Sequence, residues 1–215
     1  MNNDKIKLIT NPVICQSLCT MRDKDNDSQD VRIAARKITR ALLYEASKNL
    51  PLVDREVHTP LKTCIAKDID PDIKIIISPI LRAGLIFTDE AIDILPDACI
   101  RHIGMYRDEK TLKPVWYYNK VPMATPNPEK FYVYITDPML ATGNSLLEAI
   151  KLYAEKGIPQ KNIKCICIFA APQGIELIQK EFPEVEITVA AIDECLNEKG
   201  YIVPGMGDAG DRIFN

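Results

Sequence analysis

The run Phe131-Tyr132-Val133-Tyr134-Ile135-Thr136-Asp137-Pro138-Met139-Leu140-Ala141-Thr142-Gly143-Asn144-Ser145 holds the strongest chemical signal in the chain. An apolar stretch with the look of a buried strand ends in an acid, and a short loop of hydroxyl and glycine residues follows. From Ser145 to Tyr153 apolar residues then recur at helical spacing, and Gly157 marks the end. A strand–loop–helix joint of this kind aims backbone N–H groups at one point, and the positive end of the helix dipole adds to them. Such a joint suits a phosphate. Asp137 would repel a bare phosphate, so its presence makes sense for a ligand carrying both a phosphate and hydroxyls. A ribose 5-phosphate is such a ligand.

Two other loops carry chemistry. Ile77-Ser78-Pro79-Ile80-Leu81-Arg82-Ala83-Gly84 follows a buried strand. A guanidinium binds paired phosphate oxygens in a fork, and Ala83 and Gly84 behind Arg82 let the backbone come close, which suits a pyrophosphate. Taken alone, an arginine at a strand end is more often a surface ion pair. Near the C-terminus, Gly205, Gly207 and Gly210 form a formal G-x-G-x-x-G. A dinucleotide fingerprint needs a following helix and a second strand, and only five residues remain after Gly210, so that reading is rejected. Asp208 is a lone acid in this loop, where stability gives no reason for a charge.

The elements that must hold these loops can be read along the chain. A helix is predicted over Val31–Asn49, capped by Ser28 or Asp30 and stopped by Pro51. Glu56–Thr59 and Thr63–Ala66 read as short strands around a Pro60 turn. Ile73–Ile77 is a buried strand, Ala83–Leu95 a helix stopped by Pro96, and Ala98–Met105 another strand. From Arg107 to Lys130 four prolines and several basic residues surround Val115-Trp116-Tyr117-Tyr118, the pattern of a projecting hairpin or flap over a site. Strand Ile163–Ala170, helix Gly174–Phe182 and strand Val185–Ala190 complete the alternation. The fold class is therefore α/β, a mostly parallel sheet flanked by helices, with ligands bound beyond the carboxyl ends of the strands.

A length of 215 residues with 47% hydrophobic content suits one domain over 1–215. The net charge of -3 provides no basic field for nucleic acid. No stretch reaches membrane-span length and the first residues lack a signal-peptide core, so a cytoplasmic, non-membrane protein is expected. Seven cysteines without C-x-x-C argue against a disulfide framework, and Cys165 and Cys167 share one face of a strand as buried thiols. His58 and His102 give no sign of a metal site or of a nucleophile pair.

The run Asp137-Pro138-Met139-Leu140-Ala141-Thr142-Gly143 resembles the phosphoribosyl pyrophosphate (PRPP) loop of the uracil phosphoribosyltransferase family, a type I phosphoribosyltransferase family. Pro79-Ile80-Leu81-Arg82-Ala83-Gly84-Leu85, His102–Glu109 and Gly200–Arg212 match the same family, as do Thr20–Lys24, Leu50–Leu52, Ala171–Gly174 and Ala191–Glu194. The resemblance covers essentially the whole chain. It implies that Asp137 holds ribose hydroxyls and that Pro138, Met139, Leu140, Ala141, Thr142, Gly143, Asn144 and Ser145 form the 5-phosphate loop. Arg82, with Ala83 and Gly84, and Arg107 at the base of a flap of about 107–130 would contact pyrophosphate. Residues 200–212 would form the base loop, with backbone at Ile202 and at Gly207, Asp208 and Ala209 pairing with uracil and Asp208 reaching toward PRPP. Arg107, Asp137 and Asp208 are then the catalytic set.

The implied activity is pyrimidine salvage, in which uracil and PRPP give UMP and pyrophosphate. It brings Mg2+ carried by the pyrophosphate, GTP as a candidate activator in some relatives, and a homodimer or higher homo-oligomer. A nucleotide-sensing regulator on the same fold, binding UMP-like ligands and RNA without turnover, is the alternative, and a structural protein with a relic site is a third. Two departures stand out. Asn144 replaces a second glycine, which predicts a left-handed backbone there or close approach to the 5-phosphate. Ile86-Phe87-Thr88-Asp89-Glu90 replaces a glycine-containing stretch and bears on helix packing and subunit contacts.

Overall fold

The computed structural model describes residues 3–107, 114–121 and 126–215; the side chains of Asn3, Arg107 and Pro114 lie outside the described residues. The chain runs through β1 (Ile6–Leu8), α1 (Pro12–Arg22) and α2 (Ser28–Ser47). A separate antiparallel hairpin follows, β2 (Leu52–His58) and β3 (Thr63–Ile69). Next come β4 (Lys74–Leu81), a 3-10 turn (Ala83–Phe87), α3 (Thr88–Ile94), β5 (Cys99–Ile100), β6 (Ile103–Arg107) and β7 (Pro114–Asn119). The second half holds β8 (Phe131–Thr136), β9 (Met139–Leu140), α4 (Asn144–Ala154), β10 (Ile163–Ala170), α5 (Pro172–Glu181) and β11 (Glu186–Ile192). It ends in β12 (Cys195–Leu196), β13 (Ile202–Val203) and α6 (Ala209–Phe214).

The main sheet has the order β1-β11-β10-β8-β4-β6-β7, with β5 beside β4 and β9 beside β10. Its described pairings are parallel except for β6 with β7. Strand alternation divides the apolar residues between two faces. Ile77, Tyr134, Ile166 and Ile168 pack with α1, α2, α3 and α6 on one side. Ile76, Val133, Ile135, Cys165 and Cys167 pack with α4 and α5 on the other. Both thiols are buried as expected, and burial pushes them well above the usual thiol range. No helix among the described residues is long and apolar enough to cross a membrane.

Several boundaries differ from expectation for local reasons. The cap of α2 is Asp27, neither Ser28 nor Asp30: its carboxylate accepts the N–H of Asp30 at 2.9 Å. The expected helix Ala83–Leu95 splits into a 3-10 turn and α3, and Gly84 near its start packs directly on backbone. A Cβ there would lie 2.6 Å from the Thr136 carbonyl oxygen. The expected strand Ala98–Met105 splits at Arg101 and His102, opposite Ser78 and Pro79 of β4. The Ile77 carbonyl accepts from Arg101, so the next ladder donor on that edge would be Pro79, which has no N–H. The hairpin around Pro60 is longer than expected, spanning all of β2 and β3. In the flap region β7 is the return strand, and residues 108–113 and 122–125 of the flap lie outside the described residues.

Glu90, within the departure at Ile86–Glu90, is buried and takes ion pairs from Arg40 and, at 3.8 Å, from Arg36. That stretch therefore locks α3 onto α2.

Candidate active site

The parallel strands deliver their following loops to one edge. β4 ends at Leu81 and presents Arg82, while β8 ends at Thr136 and presents Asp137. The two-strand ladder of β12 with β13 carries the C-terminal segment to the same place. Together they line a cavity of about 280 Å³. Arg82 and Ala83 meet Asp137, Met139, Ala141, Thr142, Gly143 and Ser145 there. Ile202, Gly207, Asp208 and Ala209 line it too. Leu81–Arg82 and Val203–Pro204 are cis peptides, one in each of two of these loops.

The phosphate-type loop is built by three devices. Gly143 holds φ +83° and begins α4 with no side-chain cap, which leaves the first-turn N–H groups of the helix for the cavity. Pro138 and Leu140 anchor the loop from below, their carbonyls accepting from Phe169 and Ala171 at 2.9 Å each. Gly174 of α5 supports it closely, since a Cβ there would lie 2.5 Å from the Ala141 carbonyl oxygen. Asp137 accepts the N–H of Met139 at 3.2 Å. Burial raises its pKa to about 7, against the smaller lowering effect of that bond.

Arg82 is 64% exposed in its side chain and lies 3.8 Å from Asp211, between its own loop and α6. Asp208 caps α6 by accepting the N–H of Asp211 at 3.0 Å. This corrects the sequence reading, which found no stability reason for that acid.

Of the residues named from sequence, Gly84, Pro138, Leu140 and Asn144 do not line the cavity. The first three are buried supports, and Asn144 is the first residue of α4. The left-handed backbone expected at Asn144 is absent; Gly143 takes it instead. The side chain of Arg107 lies outside the described residues, although its backbone closes β6. Ile80, Met105, Leu146 and Tyr201 also line the cavity and were not singled out as site residues. Their places were legible in principle, each lying next to a residue that was named or at the end of a strand.

Comparison with known proteins places this architecture. Adenine phosphoribosyltransferase from Trypanosoma brucei, solved with AMP, pyrophosphate and ribose-5-phosphate, shares the fold at a TM-score of 0.56 with 12% identity, over 87% of this chain and 84% of that one. The fold is thus one also seen in that phosphoribosyltransferase. The chain belongs to the uracil phosphoribosyltransferase family, whose model matches residues 8–215. Uracil phosphoribosyltransferase of Dictyoglomus thermophilum is 46% identical over 96% of this chain and 97% of its own. The enzyme of the same name from Lachnoclostridium phytofermentans is 42% identical over 96% of both chains. The AQ2163 protein of Aquifex aeolicus superposes with a TM-score of 0.88 at 35% identity, over 97% of each chain.

Proposed function

We propose that the chain is a pyrimidine salvage enzyme that converts uracil and PRPP into UMP and pyrophosphate. The observation that carries this reading is the meeting of Asp137, the Ala141–Ser145 loop, Arg82 and the Ile202–Ala209 backbone around one cavity, in a chain of this family.

In this reading the first turn of α4 and the loop before it hold the 5-phosphate. Asp137 accepts the ribose hydroxyls and so fixes the sugar. The bond from C1 to the pyrophosphate oxygen breaks as the ribose becomes cation-like, and uracil N1 closes on C1 as its proton passes to the departing pyrophosphate. Arg82, with Arg107 from the end of β6, neutralises the departing pyrophosphate. Charge placement and positioning supply the acceleration, and the chain needs no covalent nucleophile. Uracil presents acceptor, donor, acceptor along O2, N3–H and O4, and the backbone at Ile202 and at Gly207 to Ala209 offers the complement. Gly207 carries φ +84° with open space where a Cβ would be, so base and backbone can meet closely there.

Magnesium is proposed to arrive on the pyrophosphate, where its charge would neutralise the leaving oxygens. Asp137 and Asp208 are hard oxygen donors at the cavity that suit such an ion. Among the described residues no group of three His, Cys, Asp or Glu side chains forms a protein cage for it. The antiparallel pairing of β6 with β7 supports the flap expected from the sequence. We keep the cytoplasmic location expected from the sequence, and activation by GTP rests on the family resemblance. A homodimer or higher assembly rests on it too, and the exposed Leu52, Leu61 and Ile65 of the β2–β3 hairpin support it. The test is UMP formation from radiolabelled uracil, PRPP and Mg2+ by the purified protein. Labelled UMP is expected; UMP binding without turnover would return the regulator reading.

A further inference from the structure

Gly205 opens the C-terminal loop that faces the cavity, and its backbone is held by two side chains remote in sequence. Asp193 follows β11 and is 4% exposed in its side chain. Its Oδ2 accepts the Gly205 N–H at 2.9 Å. Arg22, the last residue of α1, donates to both carboxylate oxygens of Asp193, at 2.9 and 2.5 Å, and to the Gly205 carbonyl at 3.0 Å. The Arg22 guanidinium in turn lies 4.6 Å from the centre of the Phe169 ring in β10. Both polar groups of one residue's backbone are thus fixed by a forked ion pair that is itself braced against β10.

Only glycine fits this backbone. Its φ is +56°, and a Cβ would fall 2.2 Å from the Ile202 carbonyl oxygen. Ile202 and Gly207 stand on either side of Gly205 and both line the cavity. A side-chain pair that sets Gly205 therefore sets the spacing of the backbone groups proposed to read the base. Arg212, which donates to the carbonyls of Met21 and Asp23 at 3.2 and 2.7 Å, ties α6 to the same end of α1.

From this geometry we propose that Arg22 and Asp193 are positioning residues for uracil recognition, acting through Gly205 without touching substrate. The proposal rests on the reading of Ile202–Ala209 as the base loop. It goes beyond that reading by assigning base affinity to a pair outside the cavity wall.

The experiment is steady-state kinetics on the full chain with Arg22→Lys, Asp193→Asn, and the double variant Arg22→Met with Asp193→Asn, which leaves neither charge unpaired. Melting temperatures are measured in parallel, and Gly207→Ala serves as a direct perturbation of the loop. The KM for uracil should rise about tenfold or more in the pair variants, as expected when a reacting group is misplaced by a fraction of an ångström, with the KM for PRPP within about twofold of the parent. Arg22→Lys keeps the charge but loses the fork, so its rise should be smaller than that of the double variant. A lowered melting temperature with unchanged uracil KM, or equal rises for both substrates, overturns the positioning role. An unchanged uracil KM in Gly207→Ala overturns the base-loop reading itself.

Discussion

Asp208 accepts the backbone N–H of Asp211 at 3.0 Å while also lining the same cavity as Asp137. One carboxylate thus has two duties, and they separate by substitution. Asparagine caps helices about as well as aspartate, whereas alanine costs roughly 1 kcal/mol at such a position. Asp208→Asn should keep the melting temperature of the parent and lower UMP synthesis at least roughly tenfold, the scale for losing one positioned polar group. Asp208→Ala should lose activity and stability together. Near-normal kinetics in a folded Asp208→Asn protein would remove Asp208 from the chemistry and leave it a cap.

Asp137 predicts a pH signature. Its pKa is raised by burial from 3.8 to about 7 in the folded chain. Between those values the folded state binds more protons than the unfolded state, so this group lowers stability as pH rises from about 4 to about 7. Asp137→Asn removes that effect. The variant should melt above the parent at pH 8, with the gap shrinking toward pH 5, and should lose most of its turnover. A gap in melting temperature that does not change between pH 5 and pH 8 would show that Asp137 is ionised throughout.

The Leu140–Ser145 loop leans on Gly174. A methyl group there would stand 2.5 Å from the Ala141 carbonyl oxygen and 2.8 Å from Leu140 Cδ1. Neither α5 nor the loop can yield without moving Ala141–Ser145. Gly174→Ala should therefore raise the KM for PRPP several-fold while the KM for uracil stays near the parent value. Equal KM values for PRPP in variant and parent would mean that the loop does not hold this substrate.

Asn144 yields a prediction opposite to the one its sequence context suggests. It is the first residue of α4, and Gly143 already supplies the left-handed turn. Asn144→Val needs no positive φ and should fold with a PRPP KM within about twofold of the parent. Gly143→Ala should raise that KM strongly, because the added Cβ meets both φ +83° and the Gly174 carbonyl at 3.0 Å. Steady-state kinetics with PRPP varied at saturating uracil checks both.

The parts legible in sequence are those whose signals are local. A strand, an acid, a glycine and a helix follow one another between Phe131 and Tyr153, so the loop announces itself. The alternation of Cys165 and Cys167 with isoleucines likewise shows a buried strand. Helix α1 stayed unread because its buried face, Ile14, Ser17 and Met21, includes a serine that breaks the apolar pattern. Ser17 is instead satisfied by donating to the Val13 carbonyl. The Arg22–Asp193 pair joins residues 171 positions apart and no local pattern marks it. Asp208 as a cap was hidden for another reason, since α6 has only six residues and little periodicity to show.

Discrimination of bases by the purified enzyme reads the proposed base loop most directly. Cytosine carries an amino donor where uracil has O4, so a backbone N–H would face another N–H and both would be left unpaired. Measured side by side with PRPP and Mg2+, uracil should give UMP with a kcat/KM on the order of 10⁴ above that for cytosine, the range for sites built on hydrogen bonds. Comparable turnover of the two bases, or no nucleotide from either, would contradict the reading of this cavity.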